Sequence, residues 1–126
     1  MGFERFAGTK YRSGQIGETM ISVWKIGQIS FNTDAMRQFN LYDFTHAVLF
    51  FNEDTRSVGI MLTNDPKEVG VLKLIKRDTG GYAMSAKKFL NFHDIDYSES
   101  KTYPLEYDRE ANLYVFNLEN EKDIEH

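Results

Sequence analysis

Residues 51–62 read FNEDTRSVGIML, and residues 107–118 read YDREANLYVFNL. In each stretch an aromatic residue is followed by polar residues of the kind found in turns and then by an apolar run. This order is typical of a β-hairpin, because the polar residues favour the turn and the apolar residues favour a strand. The two stretches align without a gap at an offset of 56 residues, which matches Val58 with Tyr114 and Ile60 with Phe116. We therefore expect the same hairpin to occur twice.

The segments before the two hairpins follow the same order. Alternating β-branched and aromatic residues predict a strand from Met20 and a second short strand over 28–32. The same signals return over 69–77 and 82–85, separated by the glycine-containing turn DTGG. Each half is therefore predicted to begin with two strands.

A short helix is predicted after each pair of strands. Asn32 or Thr33 would cap the first helix and Ser85 the second, because a short oxygen-bearing side chain accepts a hydrogen bond from a free helical amide. The helices align at a smaller offset, with Ala35 matching Ala86. The apolar residues expected to face the core are Ala35, Met36, Phe39 and Leu41 in the first helix and Phe89, Leu90 and Phe92 in the second.

These elements predict a β-rich α+β fold with duplicated β-β-α-β-β halves, residues 20–64 and 70–119. One such unit is too thin to bury its own apolar face, so we expect two units to pack about a pseudo-twofold axis. The result would be one barrel-like domain, residues 20–119, with two short helices and with Trp24 packed under the barrel. Residues 1–19 are expected to form an irregular N-terminal arm, and residues 120–126 an acidic tail.

The string ISFNTDAMRQFNLYDFTHAVLFFNEDTRSVGIMLTN, residues 29–64, resembles one half of the swapped-hairpin transcription factors of the AbrB and MraZ types. The resemblance covers roughly residues 28–64 and 82–119, as two tandem half-repeats. It implies two interlocked halves in one barrel, and a role in transcription regulation through DNA binding. The chain is also similar in character to a small prokaryotic or phage family.

Three features depart from the family pattern. The string LYDFTHAV contains Asp43 but lacks the Gly of the family's Gly-Asp pair, and Asn32 and Ser85 replace its proline in the first turn. The basic residues that the family uses to hold DNA have no clear match near Gln28. The resemblance therefore lies in topology rather than in the DNA-contact residues.

Charge is unevenly distributed along the chain, whose formal net charge is −4. Residues 65–90 carry six basic and three acidic side chains, whereas residues 91–126 carry three basic and ten acidic ones. If the basic block shares one face, it would neutralise phosphates and offer a tyrosine for base stacking. The predicted nucleic-acid-binding residues are Lys73, Lys76, Arg77, Tyr82, Lys87 and Lys88.

Two observations support other interpretations of this block. The sequence pI of about 5.3 is acidic, whereas dedicated nucleic-acid domains are usually basic. Alternating lysines are also typical of an edge strand protected against aggregation. A basic middle and an acidic end could instead pair two copies head to tail, or let the acidic tail mask the basic block.

The alternative function is a protein–protein interaction or structural accessory module. Phe3, Phe6 and Tyr11 lie among glycines near the N-terminus, and Trp24 lies nearby. Aromatic residues are enriched in protein interfaces, although core packing is the simpler interpretation of Trp24. We expect either a protein partner or self-association as a homodimer under this alternative.

No motif predicts an enzyme. The histidines His46, His93 and His126 are far apart, the spacing of a zinc site is missing, and the chain has no cysteine. We therefore predict no catalytic residue, no metal, no cofactor and no small-molecule substrate. The chain has no apolar run of membrane-spanning length and no apolar signal core, which predicts a cytoplasmic protein without a membrane partner.

Overall fold

The computed structural model describes residues 18–78 and 80–121. These residues form two short α-helices, α1 (Thr33–Gln38) and α2 (Lys87–Phe92), and a 3-10 helix at Leu41–Asp43. The strands are β1 (Met20–Val23), β2 (Gln28–Phe31), β3 (His46–Asn52), β4 (Ser57–Thr63), β5 (Val71–Lys73), β6 (Ile75–Lys76), β7 (Tyr82–Ser85), β8 (Lys101–Pro104), β9 (Glu106–Asp108) and β10 (Leu113–Asn117).

The strands form two five-stranded sheets. The first has the order β6-β7-β2-β1-β8, and the second has the order β5-β3-β4-β10-β9. All of the observed pairs are antiparallel. The predicted β-rich α+β class with two short helices is therefore confirmed.

The chain passes from one sheet to the other at two apolar residues. Leu74 separates β5 in the second sheet from β6 in the first, and Leu105 separates β8 in the first sheet from β9 in the second. Both leucines are buried, and the Leu74 amide donates to the Thr45 carbonyl at 2.9 Å. The single strand predicted over 69–77 is therefore divided, because Leu74 turns into the core between the sheets.

The pairing of β4 with β10 joins the two hairpins recognised in the sequence. Val58 lies opposite Phe116 and Ile60 lies opposite Tyr114. Since the sequence alignment matches Val58 with Tyr114 and Ile60 with Phe116, exchanging the two hairpins would preserve this register. A twofold relation between the two halves would produce such a register. The duplication and the closed barrel stay predictions.

The core lies between the sheets and follows the period of two expected along β-strands. Ile21 and Val23 of β1, Ile60 of β4 and Phe116 of β10 are buried, whereas the side chains that alternate with them are more exposed. Burying one such side chain stabilises the fold by roughly 1.5–3 kcal/mol. The fully buried large side chains are Phe31, Phe116, Ile21, Ile29, Met36, Leu41, Ile60, Met84, Leu90, Leu105 and Val58.

The predicted cap of the first helix is confirmed, and that of the second is wrong. Asn32 caps α1, because its Oδ1 accepts a hydrogen bond from the Ala35 amide at 2.8 Å. Ser85 instead ends β7, and Ala86 occupies the cap position without a side-chain hydrogen bond. The Ala86 amide donates to the Gly27 carbonyl at 2.8 Å, which delays the start of the helix to Lys87.

The position of α2 corrects two further expectations. Ala35 lies inside α1 whereas Ala86 precedes α2, so the predicted match of these alanines is wrong. Phe92 was expected on the core face but is 83% exposed, while Leu90 is fully buried. Residues two positions apart lie about 200° apart around a helix, so both cannot face the core.

The predicted arm at residues 1–19 and the tail at residues 120–126 fall mostly outside the described residues. Phe3, Phe6, Tyr11 and His126 are among the positions not described. Within residues 18–78 and 80–121, no helix combines the length and the apolar character needed to cross a membrane.

Candidate nucleic-acid interface

The turn between β1 and β2, residues 24–27, projects an apolar side chain between polar ones. The Gly27 amide donates to the Trp24 carbonyl at 2.8 Å, and the Trp24 amide donates to the Gln28 carbonyl at 2.8 Å. Ile26 at the tip is 67% exposed, and Lys25 beside it is also exposed. The string MISVWKIG from Met20 was predicted as one strand, which is wrong at its end, because the strand stops at Val23 and the turn follows. Gly27 was the sequence signal that could have indicated the turn.

Glycine is required at position 27 by the backbone conformation and by a neighbouring side chain. Its φ of +89° lies in a region that glycine adopts without the steric cost of a side chain. A Cβ placed there would also lie 3.0 Å from the Cβ of Lys87. The turn and the first residue of α2 are therefore in close contact, so the Lys87 side chain begins beside the turn.

Trp24 lies on the outer face of the first sheet, next to Arg77. Its Nε1 donates to Ser30 Oγ at 2.8 Å, and the Arg77 Cζ lies 5.4 Å from the centroid of its ring. This distance is within the range of a cation–π interaction. Trp24 is only half-buried, so the prediction that it packs under the barrel is wrong. It follows the buried Val23 in the strand alternation and therefore points to the opposite face.

An open groove of about 320 Å³ lies at this position. We call the combination of Trp24, Lys25, Ile26, Arg77 and Lys87 the turn surface. Three of these residues were not predicted as site residues, because Trp24 was assigned to the core and Lys25 and Ile26 lie far from the basic block in sequence. The groove is lined by Trp24, Lys25, Ile26, Gln28, Arg77 and Ser100.

Lys76 and Tyr82 of the predicted site lie on the other side of β6. Lys76 is paired with Tyr82, and its Nζ lies 6.0 Å from the centroid of the Tyr42 ring. The rings of Tyr42 and Tyr82 are 5.8 Å apart, and the Tyr42 hydroxyl donates to the Gly80 carbonyl at 2.8 Å. These residues form a separate aromatic cluster near the 3-10 helix.

The remaining predicted cations are also divided. Lys73 lies on β5 in the second sheet, opposite His46, whereas Lys87 and Lys88 are exposed at the start of α2. An open groove of about 510 Å³ is lined by Lys87 and Lys88 together with Leu72 and Phe89. The structure therefore brings Arg77 to the groove of Trp24, places Lys87 next to Gly27, and leaves Lys73, Lys76, Tyr82 and Lys88 elsewhere.

The cations of the turn surface have no carboxylate partner at ion-pair distance among residues 18–78 and 80–121. The ion pairs observed in this part of the chain are Arg37 with Asp34 at 2.7 Å and Lys101 with Glu121 at 3.2 Å. The loop after α2 contributes an acidic residue near the turn, since Asp96 lines a shallow groove together with Lys25.

The carboxylate of Asp96 is held by the loop that follows it. The Ser98 amide donates to Asp96 Oδ1 at 2.9 Å, which lowers the pKa of this carboxyl below its ordinary value. The cation that acts on this carboxylate is Lys101, which lowers its pKa further.

The described histidines make local contacts. His46 Nδ1 is 2.7 Å from Thr45 Oγ1, and the His93 ring packs against Phe51, Phe89 and Phe92 at centroid distances of 4.7, 4.8 and 4.9 Å. Within the described part of the chain, no group of three or more His, Asp or Glu side chains is arranged to hold a metal ion.

No protein-family model matches this chain, and neither the curated proteins nor the solved structures include a significant match. The resemblance to the AbrB and MraZ types therefore stays a prediction.

Proposed function

We propose that this chain is a small, non-enzymatic binding or regulatory protein that holds nucleic acid on the turn surface. The observation that supports the proposal most directly is the position of Arg77 over the Trp24 ring, 5.4 Å from its centroid. Lys25 lines the same groove and Lys87 begins next to Gly27, and neither has a carboxylate at ion-pair distance among the described residues. Such cations can contact phosphates.

The chemistry of the turn surface suits a single strand better than a duplex. Phosphate groups would be neutralised by Arg77, Lys87 and Lys25, with release of the counterions that nucleic acid carries. The half-exposed indole of Trp24 and the guanidinium plane of Arg77 are both stacking groups for an unpaired base. Such stacking contributes about 1–3 kcal/mol per base. In a duplex the base faces are already stacked on one another.

The test compares two neighbouring cations that lie on opposite sides of β6. Anisotropy of labelled single-stranded and duplex oligonucleotides is measured at low salt for wild type, Arg77→Glu and Lys76→Glu. We expect wild type to bind the single strand more tightly and Arg77→Glu to lose about tenfold or more in affinity. Lys76→Glu is the matched control and should keep most of the affinity, because it introduces the same charge change outside the turn surface.

Trp24 provides a second readout, because it is the chain's single tryptophan. Stacking of a base on its ring should quench the intrinsic fluorescence in proportion to binding. If wild type binds neither oligonucleotide at low salt, the proposed function is wrong. If the two variants lose affinity equally, nucleic acid binds but the turn surface is not the site.

The second candidate function is a cytoplasmic protein-interaction or structural accessory module. It is supported by the 67% exposed Ile26 and by the exposed apolar residues on other faces, including Phe50 and Phe92. An apolar tip among cations also suits a protein partner with a complementary apolar and acidic surface. Failure of oligonucleotide binding together with capture of such a partner would favour this function.

A further inference from the structure

The outer face of the second sheet contains an open groove of about 460 Å³. Its floor crosses three paired strands, with Phe50 opposite Gly59 and Gly59 opposite Val115. The Leu113 side chain covers the floor at Gly59, because a Cβ added to Gly59 would lie 2.8 Å from Cδ1 of Leu113. Because Phe50 is 45% exposed, this face presents apolar surface to solvent.

The surroundings of this groove are acidic. The turns and the edge strand beside it carry five exposed carboxylates and two arginines. One arginine, Arg56, is held over the Phe51 ring, with its Cζ 5.2 Å from the centroid. The groove is therefore apolar at its floor and negative at its rim. The carboxylates belong to Glu53, Asp54, Glu106, Asp108 and Glu110, and the other arginine is Arg109.

The turn surface has the complementary character. Ile26 is 67% exposed at its tip, and Lys25, Arg77 and Lys87 surround it with positive charge. We propose that the turn surface of one copy of this chain docks into the groove of a second copy. Ile26 then contacts the apolar floor near Val115, and the cations face the carboxylates of the rim. Complementary potentials of this kind select the partner and its orientation.

Because the two docking surfaces are different, the contact is heterologous. Each docked pair keeps one free turn surface and one free groove, so association continues into a ring or an open chain. The contact is centred on one exposed side chain and one groove, whereas a stable interface buries roughly 1,200–2,000 Å², so we expect weak association that depends on protein concentration. Salt screens the charged rim and reduces association further.

The experiment uses two full-length variants that each lack one surface. Ile26→Asp removes the apolar tip and keeps the groove, whereas Val115→Lys blocks the groove and keeps the turn surface. In sedimentation velocity, wild type should increase in mass with concentration, and each variant alone should lose this increase. An equimolar mixture of the two variants should form a dimer and no larger species, because only one complementary contact remains.

Two controls keep the result interpretable. Phe50→Lys blocks the groove at a more exposed position and replaces Val115→Lys if that variant fails to fold. Thermal unfolding of every variant shows whether it is folded. Phe92→Lys removes an exposed aromatic residue outside both surfaces and should leave association unchanged. Wild type that stays monomeric at all concentrations, or a mixture that forms no dimer, would overturn the proposal. Val115→Lys keeps the turn surface, so its oligonucleotide binding reports on the proposed function separately.

Discussion

Lys76 and Arg77 are neighbours in the chain, but their cationic groups lie over rings on opposite sides of β6. The Lys76 Nζ is 6.0 Å from the centroid of Tyr42, whereas the Arg77 Cζ is 5.4 Å from the centroid of Trp24. Successive side chains of a strand point to opposite faces, so a basic run along β6 cannot form one patch. The basic block of the sequence therefore consists of at least two groups with different surroundings.

The salt dependence of nucleic-acid binding should distinguish two lysines of that block. Lys87→Ala removes a cation of the turn surface and should lower the slope of log affinity against log salt by about 1. Lys73→Ala removes the same charge from β5 in the second sheet and should leave the slope unchanged. Anisotropy titrations at several salt concentrations measure both slopes. Equal slopes for the two variants would remove Lys87 from the site.

Trp24→Phe should destabilise the protein because it leaves the Ser30 hydroxyl without its hydrogen-bond donor. Ser30 is 3% exposed, and Trp24 Nε1 donates to its Oγ at 2.8 Å. Loss of one partner of a buried hydrogen bond costs about 1–3 kcal/mol, whereas removal of both can be nearly neutral. Urea unfolding should therefore show partial recovery in the double variant Trp24→Phe, Ser30→Ala. A double variant less stable than Trp24→Phe would contradict this account.

Gly27→Ala should cost more stability than Gly70→Ala. Both glycines have positive φ, +89° and +75°, so both substitutions introduce backbone strain of order 1–3 kcal/mol. A Cβ at Gly27 also meets the Cβ of Lys87 at 3.0 Å, whereas one at Gly70 has nothing within 4 Å. Urea unfolding measures the loss of stability that each substitution causes. The difference between the two losses isolates the contact between the turn and α2. A difference near zero would mean that α2 shifts freely.

Leu90→Ala and Phe92→Ala should differ strongly although the residues are two positions apart on α2. Leu90 is fully buried, so its truncation should cost about 2–5 kcal/mol through lost burial and a cavity. Phe92 is 83% exposed, and its truncation should change stability by about 0.5 kcal/mol or less. Thermal or urea unfolding of both variants checks the expectation. Comparable losses of stability in the two variants would show that α2 is rotated relative to the core.

Tyr103 should make the folded protein sensitive to alkaline pH. Burial raises the pKa of its phenol above the ordinary value of 10.0, so the unfolded chain loses this proton first. The corresponding stability is fully present below pH 10.0 and is lost as the pH rises through the folded pKa. Urea unfolding below and above this pH should show a larger alkaline loss in wild type than in Tyr103→Phe. Equal losses would mean that the phenol is accessible to solvent.

Local sequence signals predicted most elements with good boundaries. The 47–51 and 57–63 strands were found as β3 and β4, because β-branched and aromatic residues flank a polar turn. Asn32 was recognised as a cap because its side chain bonds an amide three residues away. These features depend on residues close in sequence, so they are visible without a tertiary structure.

The candidate site was predicted only in part, because its members come from distant segments. Arg77 and Lys87 were identified from the basic block, but their neighbours Trp24 and Lys25 belong to the first hairpin. The single tryptophan was assigned to the core from its apolar character. Its orientation depends instead on strand alternation after Val23 and on the hydrogen bond to Ser30.

The sequence by itself determined most of the strands, the two hairpin turns and the presence of two short helices, since these follow from side-chain period and from turn and capping residues. Only the tertiary structure decided which cations share a surface. Pairing between distant strands selects the side of each sheet on which a side chain emerges, and at Leu74 the chain passes from the second sheet to the first, which separates Lys73 from Lys76 and Arg77. Charge close together in sequence was therefore separated in space, and Trp24, Arg77 and Lys87 were brought together.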